Sequence, residues 1–79
     1  MVCAKVNQIL SAMTASCMSP GEIAQKAGVS VNIVYRMRKG YMVKMEYFGK
    51  VCRALGVEPE TVIDFERLNQ YQQRKEDKT

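Results

Sequence analysis

Apolar residues recur along this chain at helical spacing and nowhere alternate as they would in a half-buried strand. Val6, Ile9, Leu10 and Met13 form one stripe, which predicts a first helix over about residues 3 to 15. Ile23 and Ala27, then Val34 and Met37, mark the inward faces of two shorter helices and leave Val31, Asn32, Tyr35 and Arg36 to point away from the core. Met45, Phe48, Cys52 and Leu55 give a fourth helix, ended by Gly56. Pro59 suits the first position of a fifth, with Glu58 and Glu60 near the positive end of its dipole and Val62, Ile63, Phe65 and Leu68 as its apolar side. Beyond Tyr71 the run QQRKEDKT is polar and reads as a frayed helix end or a disordered tail. The expected architecture is all-α, a compact five-helix domain over residues 1–68 followed by a polar segment, residues 69–79.

The punctuation between the second and third helices narrows this further. Ser19 is placed as an N-cap, Pro20 as the first helical residue and Glu22 to bond back to the cap, while Met18 and Ile23 flank the cap at staple spacing. Gly28 stands where the chain must leave the helix through a left-handed conformation. Ser30 is a second N-cap, with Val29 and Val34 repeating the staple, so the next helix is expected from Val31 to near Gly40. Two short helices across a turn of about three residues make a helix-turn-helix over residues 19–40, and this motif points to a reader of DNA.

Composition adds limits. At 79 residues the chain has room for one modest core, and 47% hydrophobic with 25% charged residues is the balance of a folded protein. No apolar run approaches the roughly 20 residues that span a bilayer, and no signal-peptide pattern opens the chain, so no membrane role and a cytoplasmic, nucleoid-associated location are expected. Cys3, Cys17 and Cys52 are odd in number and widely spaced, and histidine is absent, which reads as three reduced thiols and not as a disulfide framework or a zinc finger. With no histidine, no metal spacing and no phosphate loop, the sequence points away from catalysis and implies no cofactor. Charge is unevenly placed: residues 1–57 carry eight Lys/Arg against two acids, residues 58–79 four against six. Arg36, Arg38, Lys39, Lys44, Lys50 and Arg53 gather just after the motif, the footprint of a polyanion-binding face.

In order and spacing, IAQKAGVS, a helix closing at Gly40, the fourth-helix ending RALGV and the segment EPETVI resemble the phage repressor and Cro family, the lambda-repressor-like or XRE-type helix-turn-helix domains, over about residues 4 to 65. The resemblance implies a regulator whose helix 31–39 enters the major groove of double-stranded DNA, with Val31, Asn32 and Arg36 at base edges. The chemistry suits them, since Asn pairs bidentately with adenine, Arg with guanine, and Val meets a thymine methyl. Ile33 and Tyr35 are further candidates for base or phosphate contact. Phosphate contacts are implied for Ser19, Gly21 and Gln25 at the start of the first motif helix, and for Arg38, Lys39, Gly40, Tyr41 and Lys44 in the loop after the second. Two departures stand out. Arg38 and Met13 occupy positions where many members pair a glutamate with an arginine, so Arg38 is expected to face solvent or phosphate; and Pro20 replaces a side chain that often donates to phosphate.

A lone half-site gives little affinity, so a homodimer on an inverted repeat is expected, with Ile63, Phe65, Leu68 and Tyr71 as the dimer surface unless they cover the chain's own first helix. The rival reading is a helix-turn-helix that holds another protein, as an antitoxin or adaptor does, with the C-terminal segment as its partner-binding part. The cations beside the recognition helix favour DNA.

Overall fold

The computed structural model describes residues 1–70. Five helices follow in order, α1 Val6–Ser16, α2 Pro20–Ala27, α3 Val31–Arg38, α4 Met45–Leu55 and α5 Pro59–Val62. A sixth helical segment, α6, covers residues 65–70. They enclose one apolar cluster in which Ile9, Val34, Met37, Val51 and Cys52 are wholly buried, and α2 packs on both α3 and α4. All-α is therefore the fold class.

The motif helices end where their local chemistry dictates. Ser19 Oγ accepts the Glu22 amide at 3.2 Å and Glu22 Oε1 accepts the Ser19 amide at 3.0 Å, a complete capping box with Pro20 behind it. Donation from the Ser19 amide, and next from the Ser19 hydroxyl, holds the Glu22 carboxyl below the ordinary carboxylate range. Gly28 takes φ +75°, and its amide and that of Val29 both reach the Ala24 carbonyl. Ser30 Oγ accepts the Asn32 amide at 3.1 Å and starts α3.

The first helix begins later than its stripe suggests. Residues 2–4 are extended and buried, with Val2 paired to Val43 and Ala4 to Ile63 in two isolated antiparallel bridges. Val2 and Val43 exchange amide–carbonyl bonds of 2.8 Å, the Lys5 amide reaches the Val62 carbonyl at 2.7 Å, and the Asp64 amide reaches the Cys3 carbonyl at 3.0 Å. These bonds satisfy the backbone of a buried segment across the fold, which outweighs local helix preference. The same pairing splits the expected fifth helix. Ile63 is extended at ψ 135° opposite Ala4, and Asp64 restarts the helix by accepting the Arg67 amide on Oδ1 at 3.0 Å. In α4 the inward stripe is Phe48, Val51 and Cys52, whereas Met45, in the first turn, is 68% exposed.

Cys3 and Cys52 are buried and Cys17 is exposed, all as free thiols. Burial pushes the Cys52 thiol up to about 11 and raises Cys3 as well, which keeps both protonated at neutral pH. Among the described residues, no three His, Cys, Asp or Glu side chains gather as metal ligands, and no helix is long and apolar enough to cross a membrane.

Gly40 closes α3 at φ +77°, and a Cβ there would stand 3.0 Å from Val6 Cγ2 and 2.9 Å from Arg67 Nη1. Gly40→Ala therefore meets both backbone strain and a clash, and should lower unfolding stability by about 1–3 kcal/mol. Urea melts should show a reduced midpoint at unchanged slope; an unchanged midpoint would mean that the turn relaxes freely.

Candidate nucleic-acid interface

An eight-residue helix is unstable by itself, so the face that α3 shows to solvent is set by the face it buries. Val34 and Met37 are 0% exposed, which turns Val31, Asn32, Tyr35 and Arg36 outward. Val31 and Tyr35 retain 38% and 45% of their surface, high for apolar or aromatic side chains. Ile33 is only partly buried but packs against the core cluster, which takes it away from the outer face.

Arg36 does not extend freely from α3. Its Nη2 donates to the Met42 carbonyl at 2.8 Å, and its guanidinium lies 5.8 Å from the Tyr41 ring centroid. One edge of the fork thus holds the loop after α3, and its other N–H groups remain available to a ligand. Arg38, half-buried, shares a cleft with Met13, Met18 and Pro20 and places its guanidinium 5.9 Å from the Tyr35 ring centroid. The arginine thus lays its stem on apolar surface and its head on an aromatic face, needing no glutamate.

The start of α2 offers less backbone than a bare helix end. The Ser19 and Glu22 amides are used in the capping box and Pro20 has none, which leaves the Gly21 amide, with the Ser19 hydroxyl proton shared with the Glu22 carboxyl. Gln25 is exposed farther along the helix. Across α3, Lys39, Tyr41 and Lys44 are exposed on the loop. Gly40 is not: it is buried, its amide donates to the Met37 carbonyl at 3.1 Å, and its carbonyl accepts Arg67 Nη1 at 2.8 Å. It has no donor left to offer a phosphate and serves to turn the chain.

Two participants escape the sequence reading. Tyr47 stands between Lys44 and Lys50, each ammonium 5.9 Å from its ring centroid, so the cationic surface continues from the loop onto α4. The i, i+3, i+6 spacing of these residues carries that signal. Arg67, on α6, reaches the loop from 27 positions away, and no local pattern announces it.

Cations outnumber acids on this side, where Glu22 is tied into the α2 capping box. No acidic residue occurs between Glu22 and Glu46, the stretch that contains α3, its loop and most of α2. An exposed helix with a polar and aromatic outer face, a cationic loop at one end and a capped helix start at the other is a surface shaped for a groove bordered by phosphates. No curated protein and no solved structure matches the chain. A family model described as the Cro/C1-type HTH DNA-binding domain matches residues 8–67, a span that runs from α1 to the arginine that bonds the loop. The chain belongs to the Cro/C1-type helix-turn-helix DNA-binding domain family.

Proposed function

We propose that this protein is a sequence-specific transcriptional regulator that lays α3 in the major groove of an operator and acts as a dimer on an inverted repeat. The observation that carries this reading is the outward face of α3, joined without an intervening acid to the cationic loop. Asn32 and Val31, in the first turn, are the base readers, with Tyr35 one turn on. Arg36 reads a base or a phosphate with the edge of its fork that the Met42 carbonyl leaves open. Lys39, Lys44, Tyr41 and Arg38 on one side, and Ser19, Gly21 and Gln25 on the other, hold the two phosphate strands. The protein works in this reading at the nucleoid, as a repressor where α3 covers a promoter.

The surface for pairing is smaller than the sequence suggests. Ile63 and Leu68 spend apolar area on the chain's own core, Tyr71 lies outside the described residues, and Phe65 stays 53% exposed. Phe65 is the anchor for a second copy in this proposal. An aromatic side chain that buries in a two-fold contact supplies much of a small interface. Phe65→Ser should leave helicity intact while sedimentation shows loss of the dimer and operator affinity falls. Wild-type sedimentation in that variant would place the dimer contact elsewhere.

If a dimer meets about eight phosphates, the log–log dependence of affinity on salt should have a slope near about −7. Lys39→Ala and Lys44→Ala should weaken selected and random duplexes alike. Asn32→Ala should cost on the order of 1–3 kcal/mol on the selected site and much less on random DNA. A slope near zero would instead favour the adaptor reading, in which the fold holds a protein.

A further inference from the structure

The loop from Lys39 to Lys44 carries the cations assigned to phosphate, and its own like charges oppose its order. Much of its backbone is nonetheless bonded within the chain. The Tyr41 amide donates to the Arg36 carbonyl at 2.9 Å, the Met42 carbonyl accepts Arg36 Nη2, and Val43 exchanges both its groups with Val2. The Gly40 carbonyl is a further acceptor, in a buried residue where an unmet oxygen would be costly. Arg67 Nη1 meets it at 2.8 Å.

Arg67 is itself held in place. Its amide bonds to Asp64 Oδ1 at the start of α6, and the Asp64 amide bonds to the Cys3 carbonyl in the extended segment. Gly40 gives the guanidinium its room, since even a Cβ would approach Nη1 to 2.9 Å. A cation brought to the back of a cationic loop is unfavourable by charge alone. Its position is explained by the bond it makes, and its field adds to the attraction for phosphate in front.

We propose that Arg67 is a positioning residue for DNA binding: by donating to the Gly40 carbonyl it fixes the loop that presents Lys39, Tyr41 and Lys44, without touching DNA itself. This rests on the DNA-binding reading above. A loop ordered in advance loses less entropy when it binds, so loss of the bond should weaken binding to every sequence. The contact also makes α6 a strut of the phosphate-binding loop, so a ligand that draws α6 away would release DNA.

The test uses the full chain with Arg67→Met, which removes the donor at an exposed helical position and keeps helix propensity, and Arg67→Lys, which restores a donor and the charge. Hydrogen exchange of the Tyr41 amide, followed by NMR without DNA, reads the loop. Affinity for the selected and for a random duplex at several salt concentrations reads its consequence. In Arg67→Met, Tyr41 exchange should speed up while helicity stays, and affinity should fall about fivefold on both duplexes. The salt slope should be unchanged, and Arg67→Lys should recover part of both losses. A slope reduced by about 0.9 per protomer would make Arg67 a direct phosphate contact and overturn the proposal. Unchanged exchange and affinity would overturn it too. Should Arg67→Met lose helicity, a through-hydrogen-bond NMR coupling from the Arg67 guanidinium nitrogen to the Gly40 carbonyl carbon in wild type reads the same bond, and its absence would overturn the proposal. If wild type binds no duplex, the DNA reading fails, and the exchange measurement still decides whether Arg67 orders the loop.

Discussion

The fold depends on the burial of Val34 and Met37, the two side chains by which the short third helix is fastened to the core. Each contributes roughly 1.5–3 kcal/mol when fully removed from water, enough together to hold a helix that would not persist by itself. Because these two positions lie on one side of α3, their burial fixes its rotation. That rotation turns Val31, Asn32, Tyr35 and Arg36 outward, and the Met42 carbonyl and the Arg38 guanidinium then steady Arg36 and Tyr35. The left-handed turn at Gly28 and the Ser30 cap then set where α3 begins, and with it the position of the first-turn residues.

A second constraint acts at the other end of α3. The chain must reverse from α3 into α4 through a stretch rich in positive charge, and repulsion works against any compact loop there. The structure counters this with bonds from two distant places, Val2 to Val43 and Arg67 to the Gly40 carbonyl, and one from the adjoining helix, Arg36 to the Met42 carbonyl. Aromatic faces accept the cationic heads, Tyr41 beside Arg36, Tyr35 beside Arg38 and Tyr47 between Lys44 and Lys50. The loop is thereby both charged and ordered, the combination that phosphate binding requires.

What could be read from the sequence was what local chemistry determines. The capping box of Ser19 and Glu22, the glycines at 28, 40 and 56, and the buried stripe of α3 each follow from residues within one or two turns of one another. What escaped is determined across the chain. Cys3 and Ala4 continue a helical pattern, yet they lie extended because their partners are Asp64 and Ile63. Ile63 continues the apolar side of a helix and breaks it for the same reason. The departure at Arg38 was legible, but its outcome was not, since the Tyr35 ring and the cleft at Met13 receive it only after α1 and α3 have packed. The resemblance implies a phosphate contact at Gly40, whereas packing against Val6 and Arg67 buries it.

In the proposed function, the outward face of α3, with its loop, is the surface that binds DNA. Amide-resolved NMR of the full chain, titrated with a duplex bearing a site selected from random sequence, tests it most directly. The account predicts the largest shift changes over residues 31–44, smaller ones at the start of α2, and little change along residues 53–62. Changes concentrated on residues 53–62 with α3 unmoved, or none at saturating duplex, would contradict it.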